Sequence, residues 1–147
     1  MICAGIRTSD DVVFLADSVF SEETINKYHL FFIYDVKEYL NTLEMIAQMK
    51  AELFIPSHCE ATKNMTNLVQ ENQRKVKEVA EVIYHFCEKE VTFEEVLKYI
   101  FDHYSLTMNA NQYVLIGSTI RSYLSYLADE NKITYEFKEN KMIWRQV

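Results

Sequence analysis

The sequence predicts an α+β protein in two parts. A short layer of strands and one helix comes first, and a mostly helical region closed by a hairpin follows. Three observations carry this expectation. Up to residue 55 the apolar runs read strand, strand, helix, strand, a layered order. Residues 64–89 contain neither Gly nor Pro and repeat apolar side chains at spacings of three and four, the period of a long helix. Residues 133–145 hold two β-rich runs around a polar turn. Composition shifts after Ala61, so the expected domains are residues 1–62 and 63–147.

The elements follow in order. Ile2-Cys3-Ala4-Gly5-Ile6 reads as a strand, Arg7 to Asp11 as a turn, and Val12-Val13-Phe14-Leu15 as a second strand, together a hairpin. The unbroken apolar run of the second strand is that of a strand buried on both faces. Residues 21–34 read as irregular. They carry an aromatic patch of Tyr28, Phe31, Phe32 and Tyr34, which is either a loop packed on the core or the wall of a pocket or interface. Asp35 with Glu38 resembles a capping box, and Val36, Tyr39, Leu40, Leu43, Ile46 and Ala47 recur at helical spacing. Lys50 is expected in the last turn of that helix, where a cation suits the dipole. Leu53-Phe54-Ile55 is a third strand, ended by Pro56.

In the second half, Met65, Leu68, Val69, Val76, Val79, Val82, Ile83 and Phe86 form the stripe of a long helix, which thins over Glu71–Lys75. Thr92 and Glu95 form a capping box, and Val91 and Val96 are placed as a hydrophobic staple. The helix they open runs to about Tyr104. A third helix spans Ala110 to Asp129, with Tyr113, Val114, Ile120, Leu124 and Leu127 on one side. Gly117 inside it costs about 1 kcal/mol relative to Ala, which a close helix crossing would explain. Strands at Ile133–Phe137 and Met142–Arg145 complete a winged-helix-like plan.

Bulk composition excludes several classes. The chain has 147 residues, 49% of them hydrophobic, so a core is available and disorder is not expected. Its formal charge of −7 argues against a general polyanion binder. Residues 1–62 concentrate that charge, with Arg7, Lys27, Lys37 and Lys50 against ten carboxylates. The candidate recognition helix has Arg121 against Asp129 and Glu130. On the wing, Lys138, Lys141 and Arg145 are offset by Glu136 and Glu139, so nucleic acid is not the expected partner. Cys3, Cys59 and Cys87 are an odd count without a CxxC pair, which fits reduced thiols in a cytoplasm. No apolar run approaches the roughly 18–20 residues of a membrane span.

Chemistry concentrates at two turns. Asp17, in Ala16-Asp17-Ser18-Val19-Phe20, and His58, in Pro56-Ser57-His58-Cys59, each follow an apolar run. Ligands gather at the carboxyl ends of strands in α/β sheets, so the pair is a candidate metal site. The plain alternative is two ordinary turns, with Asp17 a turn carboxylate. His29 lies in the aromatic loop, beside Phe31 and Tyr34, and with them could line a substrate pocket. His85 and His103 fall on later helices, and Cys59 reads as an inert thiol more readily than as a ligand. With two glycines in the chain, neither a Gly-x-Ser-x-Gly elbow nor a phosphate-cradling loop can form.

Over residues 1 to about 62, the order of these motifs resembles the C-terminal half of a metallo-β-lactamase-fold hydrolase. In that family a strand ends in an Asp that bridges two metal ions, as at Asp17. A helix of the Tyr-Leu-x-x-Leu type follows, as in Tyr39-Leu40-Asn41-Thr42-Leu43. A strand then ends in a Pro-Gly-His-Gly type turn whose His binds the second metal, as at His58. The resemblance implies a parent that uses two zinc ions to hydrolyse an ester-, thioester-, amide- or phosphodiester-like bond. Some cytoplasmic members also carry a helical, winged-helix-like tail. The family's H-x-H-x-D-H signature and its Gly-His-[Ser/Thr]-Pro-Gly turn are absent here, and Ser57 and Cys59 stand where glycines are usual. The expectation is therefore a partial αβ layer from a larger metallohydrolase, with no complete catalytic set and little or no activity alone. Zinc would be held by a partial site or not at all. Expected partners are a second copy of the chain or the missing N-terminal half. A non-catalytic interaction or dimerisation module is the alternative.

Overall fold

The computed structural model describes residues 5–147, so Ile2, Cys3 and Ala4 of the anticipated first strand lie outside it. The elements run β1 (Ile6–Arg7), β2 (Val12–Phe20), α1 (Glu22–Tyr28), α2 (Val36–Gln48), β3 (Leu53–His58), α3 (Thr66–Phe86), β4 (Val91–Thr92), α4 (Phe93–His103), α5 (Ala110–Asp129), β5 (Ile133–Lys138) and β6 (Lys141–Gln146). The α+β class is as expected. The chain divides into two compact units, 1–29 with 37–76 and 30–36 with 77–147.

In the first unit the sheet order is β1-β2-β3. β1 pairs antiparallel with β2, and β2 pairs parallel with β3. β2 alternates. Val13 and Leu15 are buried, while Phe14 (42%) and its cross-strand partner Ile6 (67%) stay exposed. One face of the sheet is therefore core, and the other is apolar and uncovered among the described residues. α2 buries Tyr39, Leu43 and Ile46 at helical spacing. Burial of a side chain as large as Leu43 or Ile46 contributes roughly 1.5–3 kcal/mol.

The second strand is therefore not buried on both faces as expected, because Phe14 is exposed, and four further readings of this region need correction. Residues 21–34 are not all irregular, since Ser21 caps α1, its Oγ accepting from the Thr24 amide at 3.2 Å. Glu22 and Glu23 lie in the first turn and Lys27 in the last, each suiting the helix dipole. Ile25 is its one buried residue, too little for a periodic signal. β2 does not stop at Leu15 but continues through Asp17 to Phe20. Pro56 does not end β3, which runs on to His58. Proline lacks a ladder donor, but β3 is an edge strand and its register with β2 is irregular there, the two places a strand tolerates proline. Finally, Lys50 lies beyond the end of α2, where its carbonyl accepts from the Arg7 guanidinium at 2.7 Å.

In the second unit the sheet order is β4-β6-β5, antiparallel throughout. The Thr92 capping box is present, with the Glu95 amide donating to Thr92 Oγ1 and the Thr92 amide to Glu95 Oε2 at 2.7 Å. Val91 and Val96 are both buried, and Val91 also belongs to the short strand β4, paired with Trp144. α5 buries Ile116, Ile120, Leu124 and Leu127. Of the residues expected on one side of this helix, Tyr113 (41%) and Val114 (62%) on its first turns are exposed, while Ile120, Leu124 and Leu127 are buried. A Cβ on Gly117 would lie 3.4 Å from Phe93 Cζ on α4, which supports the expected close crossing. Two buried hydroxyls of α5 hold the segment 30–36: Thr119 accepts from the Ile33 amide at 3.2 Å and Ser122 from the Val36 amide at 3.1 Å. No described helix is long and apolar enough to cross a membrane.

Candidate functional site

Asp17 and His58 meet at the carboxyl ends of two parallel strands. β2 and β3 pair in step from Val12/Leu53 to Phe14/Ile55, and then the register slips before Phe20 pairs with His58. From Phe14 to Phe20 β2 advances six residues while β3 advances three, from Ile55 to His58. Three surplus residues are therefore accommodated in β2, and Asp17 lies among them. Such bulges bend a strand and re-aim a side chain. Ala16 takes up part of the distortion at φ 47°, a left-handed conformation that costs a residue with a Cβ about 1–2 kcal/mol.

The two side chains are in direct contact. His58 Nε2 lies 3.1 Å from Asp17 Oδ1, and the side chains are 47% and 60% exposed. The Phe20 ring stacks on the His58 imidazole, with centroids 5.2 Å apart and planes 13° from parallel. The Cys59 thiol donates to the Val19 carbonyl at 3.5 Å. Burial pushes that thiol up to about 11, so at neutral pH it is a protonated, weak nucleophile rather than a thiolate ligand.

The end of β2 is held by Asn72, a residue that no sequence motif singles out. Asn72 falls where the stripe of α3 thins, and it is fully buried. Its Oδ1 accepts from the Phe20 amide at 3.0 Å and from the Tyr39 hydroxyl at 3.3 Å. Its Nδ2 donates to the carbonyls of Phe20 and Leu68, both at 2.8 Å. A polar residue filling a gap in an apolar helical stripe was the available signal. The partner on a strand 52 residues away was not legible.

The other candidates do not converge on this point. His29 closes α1 at φ 55°, and its Nδ1 lies 3.4 Å from Lys75 Nζ. Phe31 and Tyr34 belong to the other unit. The Phe31 carbonyl accepts from Thr119 Oγ1 at 3.3 Å, and Tyr34 is 76% exposed. His85 pairs with Glu88 at 3.2 Å, and His103 packs edge-on against Tyr104. A hollow of about 290 Å³ in the first unit is lined by Lys50, Phe54, Lys63 and Met65 among others, and does not include the pair. On the second unit the Arg121 guanidinium lies 3.5 Å from the Phe93 ring centroid, and Lys138 pairs with Glu90 and Glu136.

The donor set fits part of a metal centre. Carboxylate oxygen and imidazole nitrogen are ordinary zinc ligands. At bond lengths near 2.0–2.1 Å, two ligands of a tetrahedral ion lie about 3.3 Å apart; the observed 3.1 Å is compatible with that spacing and equally with a direct imidazole–carboxylate hydrogen bond. A catalytic zinc takes three protein ligands. Among the described residues no group of three or more His, Cys, Asp or Glu is placed to hold an ion. The pair therefore fits one edge of a coordination shell and not a complete catalytic centre.

Comparison with solved structures agrees on the fold. A beta-lactamase domain protein from Burkholderia ambifaria superposes with a TM-score of 0.76 at 13% identity, over 97% of this chain and 44% of that one. A metallo-beta-lactamase family protein from Thermus thermophilus gives 0.71, also at 13% identity, over 97% and 45%. No family model and no curated protein matches the sequence. The chain spans less than half the length of these structural neighbours. It has the fold of the C-terminal portion of a metallo-β-lactamase-fold protein.

Proposed function

We propose that this chain belongs to a metal-dependent hydrolase of the metallo-β-lactamase superfamily, in which Asp17 and His58 are two of the ligands of a zinc centre. The observation that carries the reading is their 3.1 Å approach at the ends of the parallel strands β2 and β3. Bound there, zinc would polarise a substrate oxygen or lower the pKa of a water. Asp17 and His58 would hold and orient the ion, while the remaining ligands come from elsewhere in the whole protein. The two groups present do not satisfy a two-metal clamp, so the chain alone is expected to hydrolyse little or nothing. The test is hydrolysis of ester, thioester, amide and phosphodiester reporters by the purified chain, with zinc and with a chelator. Background rates support the reading, and chelator-sensitive turnover contradicts the proposed incompleteness.

A second reading has its own observation. The uncovered face of the first sheet, with Ile6 and Phe14 exposed side by side, favours an interaction or dimerisation module whose partner supplies an apolar layer. A second copy of the chain or the other portion of the same protein would fit. Light scattering at micromolar concentration separates the two. A homo-oligomer supports self-association, and a monodisperse monomer excludes it. Reduced cysteines would suit a cytoplasmic setting for either reading.

A further inference from the structure

The end of β2 has a structural problem that Asn72 solves. Three surplus residues and the left-handed Ala16 break the regular ladder between β2 and β3 before Phe20. A strand end without a continuous ladder wanders, and Asp17 and Phe20 would move with it. Asn72 approaches Phe20 from α3 and binds both its N–H and its C=O, at 3.0 and 2.8 Å, as a neighbouring strand would. On its other side Phe20 is the register partner of His58. The amide is itself fixed, since Tyr39 donates to its oxygen and the Leu68 carbonyl takes its second N–H. Each polar atom of this buried side chain is used, which makes the anchor rigid.

Rigidity is passed on through the Phe20 ring. The imidazole of His58 is nearly half exposed, so the protein around it leaves rotamers open to it. Stacking on Phe20, 13° from parallel, fixes its plane. The Asp17 contact then selects the edge that carries Nε2.

We propose that Asn72 is the positioning residue of the Asp17–His58 pair, acting through the backbone and ring of Phe20. It touches neither ligand group and would contribute nothing to coordination directly. Outer groups of this kind orient metal ligands, and their removal typically weakens metal affinity by about 10–100-fold. For its metal arm the proposal rests on the reading of Asp17 and His58 as ligands. The orientation of His58 is testable without that reading.

The experiment uses the full 147-residue chain and four variants, N72A, F20L, F20Y and H58Q. Histidine side-chain resonances are recorded by NMR, and H58Q assigns the His58 signal. In the parent protein the ring protons of His58 should be displaced upfield by the stacked Phe20. N72A and F20L should return them towards free-histidine positions, and F20Y should keep the displacement. Zinc affinity, from competition with an indicator dye, should fall by about tenfold in N72A and F20L and hold in F20Y. A His58 signal and a zinc affinity unchanged in N72A would overturn the proposal. If N72A does not fold, a fifth variant, N72S, decides, because it leaves the Phe20 ring in place while removing at least one of the two bonds to the Phe20 backbone; an unmoved His58 signal there overturns the proposal. If the parent binds no zinc, the ligand reading fails, and the NMR arm alone judges the positioning role.

Discussion

The two units reach their structures by different means. In the second, the element boundaries rest on local signals, although Thr119 and Ser122 also hold the segment 30–36 from far along the chain. Thr92 and Glu95 lie three residues apart and close a capping box, and the buried residues of α4 and α5 recur at helical spacing. In the first, the decisive contacts join distant residues. Asn72 on α3 binds Phe20, and Asp17 on β2 meets His58 on β3. The unit built on local signals is regular, and the one built on distant contacts holds a bulged strand with a strained residue beside the candidate site. Even pairing beyond Phe14/Ile55 would set Asp17 opposite His58, whereas the bulge pairs His58 with Phe20 and leaves Asp17 to meet it through its side chain.

The comparison can be broken first by removing the largest supports. Leu127, wholly buried on α5, is a plain core residue. Leu127→Ala should cost about 2–5 kcal/mol in denaturant melts. It should leave the His58 resonances unmoved, because its unit does not hold the pair. Asn72→Ala should cost a comparable amount, about 1–3 kcal/mol for each of the stranded amide and carbonyl of Phe20. It should also move those resonances. A larger response of His58 to Leu127→Ala than to Asn72→Ala would erase the distinction between the units.

Thr92→Ala comes next, at about 1 kcal/mol for the lost cap. The Glu95 carboxyl is held below its ordinary 4.5, chiefly by the Thr92 amide and then by the Thr92 hydroxyl. A group whose folded-state value is depressed stabilises above its unfolded value, and that stability is lost as pH falls through the folded value. The difference in stability between the parent and Thr92→Ala should therefore be full at pH 6 to 7 and shrink as pH falls below 4.5. A difference that grows on acidification would contradict the capping-box account.

Ala16→Gly is expected to have the smallest effect, and of opposite sign. Glycine relieves the left-handed strain of about 1–2 kcal/mol but adds unfolded-state freedom of about 0.4–1 kcal/mol. A net gain in stability of about 0 to 1.6 kcal/mol should follow. A clear loss would mean that Ala16 is not strained at φ 47°.

The same contrast explains what the sequence made legible. The second unit was readable almost element by element, because caps, stripes and turns act over three to seven residues. Its stripe of Tyr113, Val114, Ile120, Leu124 and Leu127 does not separate the exposed first turns of α5 from the buried remainder. In the first unit the motif order located Asp17 and His58, and the α2 stripe was clear. α1 was missed because a helix of seven residues with one buried side chain has no period to detect. The continuation of β2 past Leu15 and of β3 past Pro56 was missed because a bulge depends on its partner strand. Asn72 was overlooked for the same reason, as only the position of Phe20 gives a buried amide on α3 its purpose.

The central claim is that Asp17 and His58 form one edge of a metal shell that this chain does not complete. Zinc titration of the 147-residue chain, alongside Asp17→Asn and His58→Gln, tests it most directly. The account predicts weak binding in the parent that both substitutions abolish. Binding that survives both substitutions, or no binding at all, would contradict it.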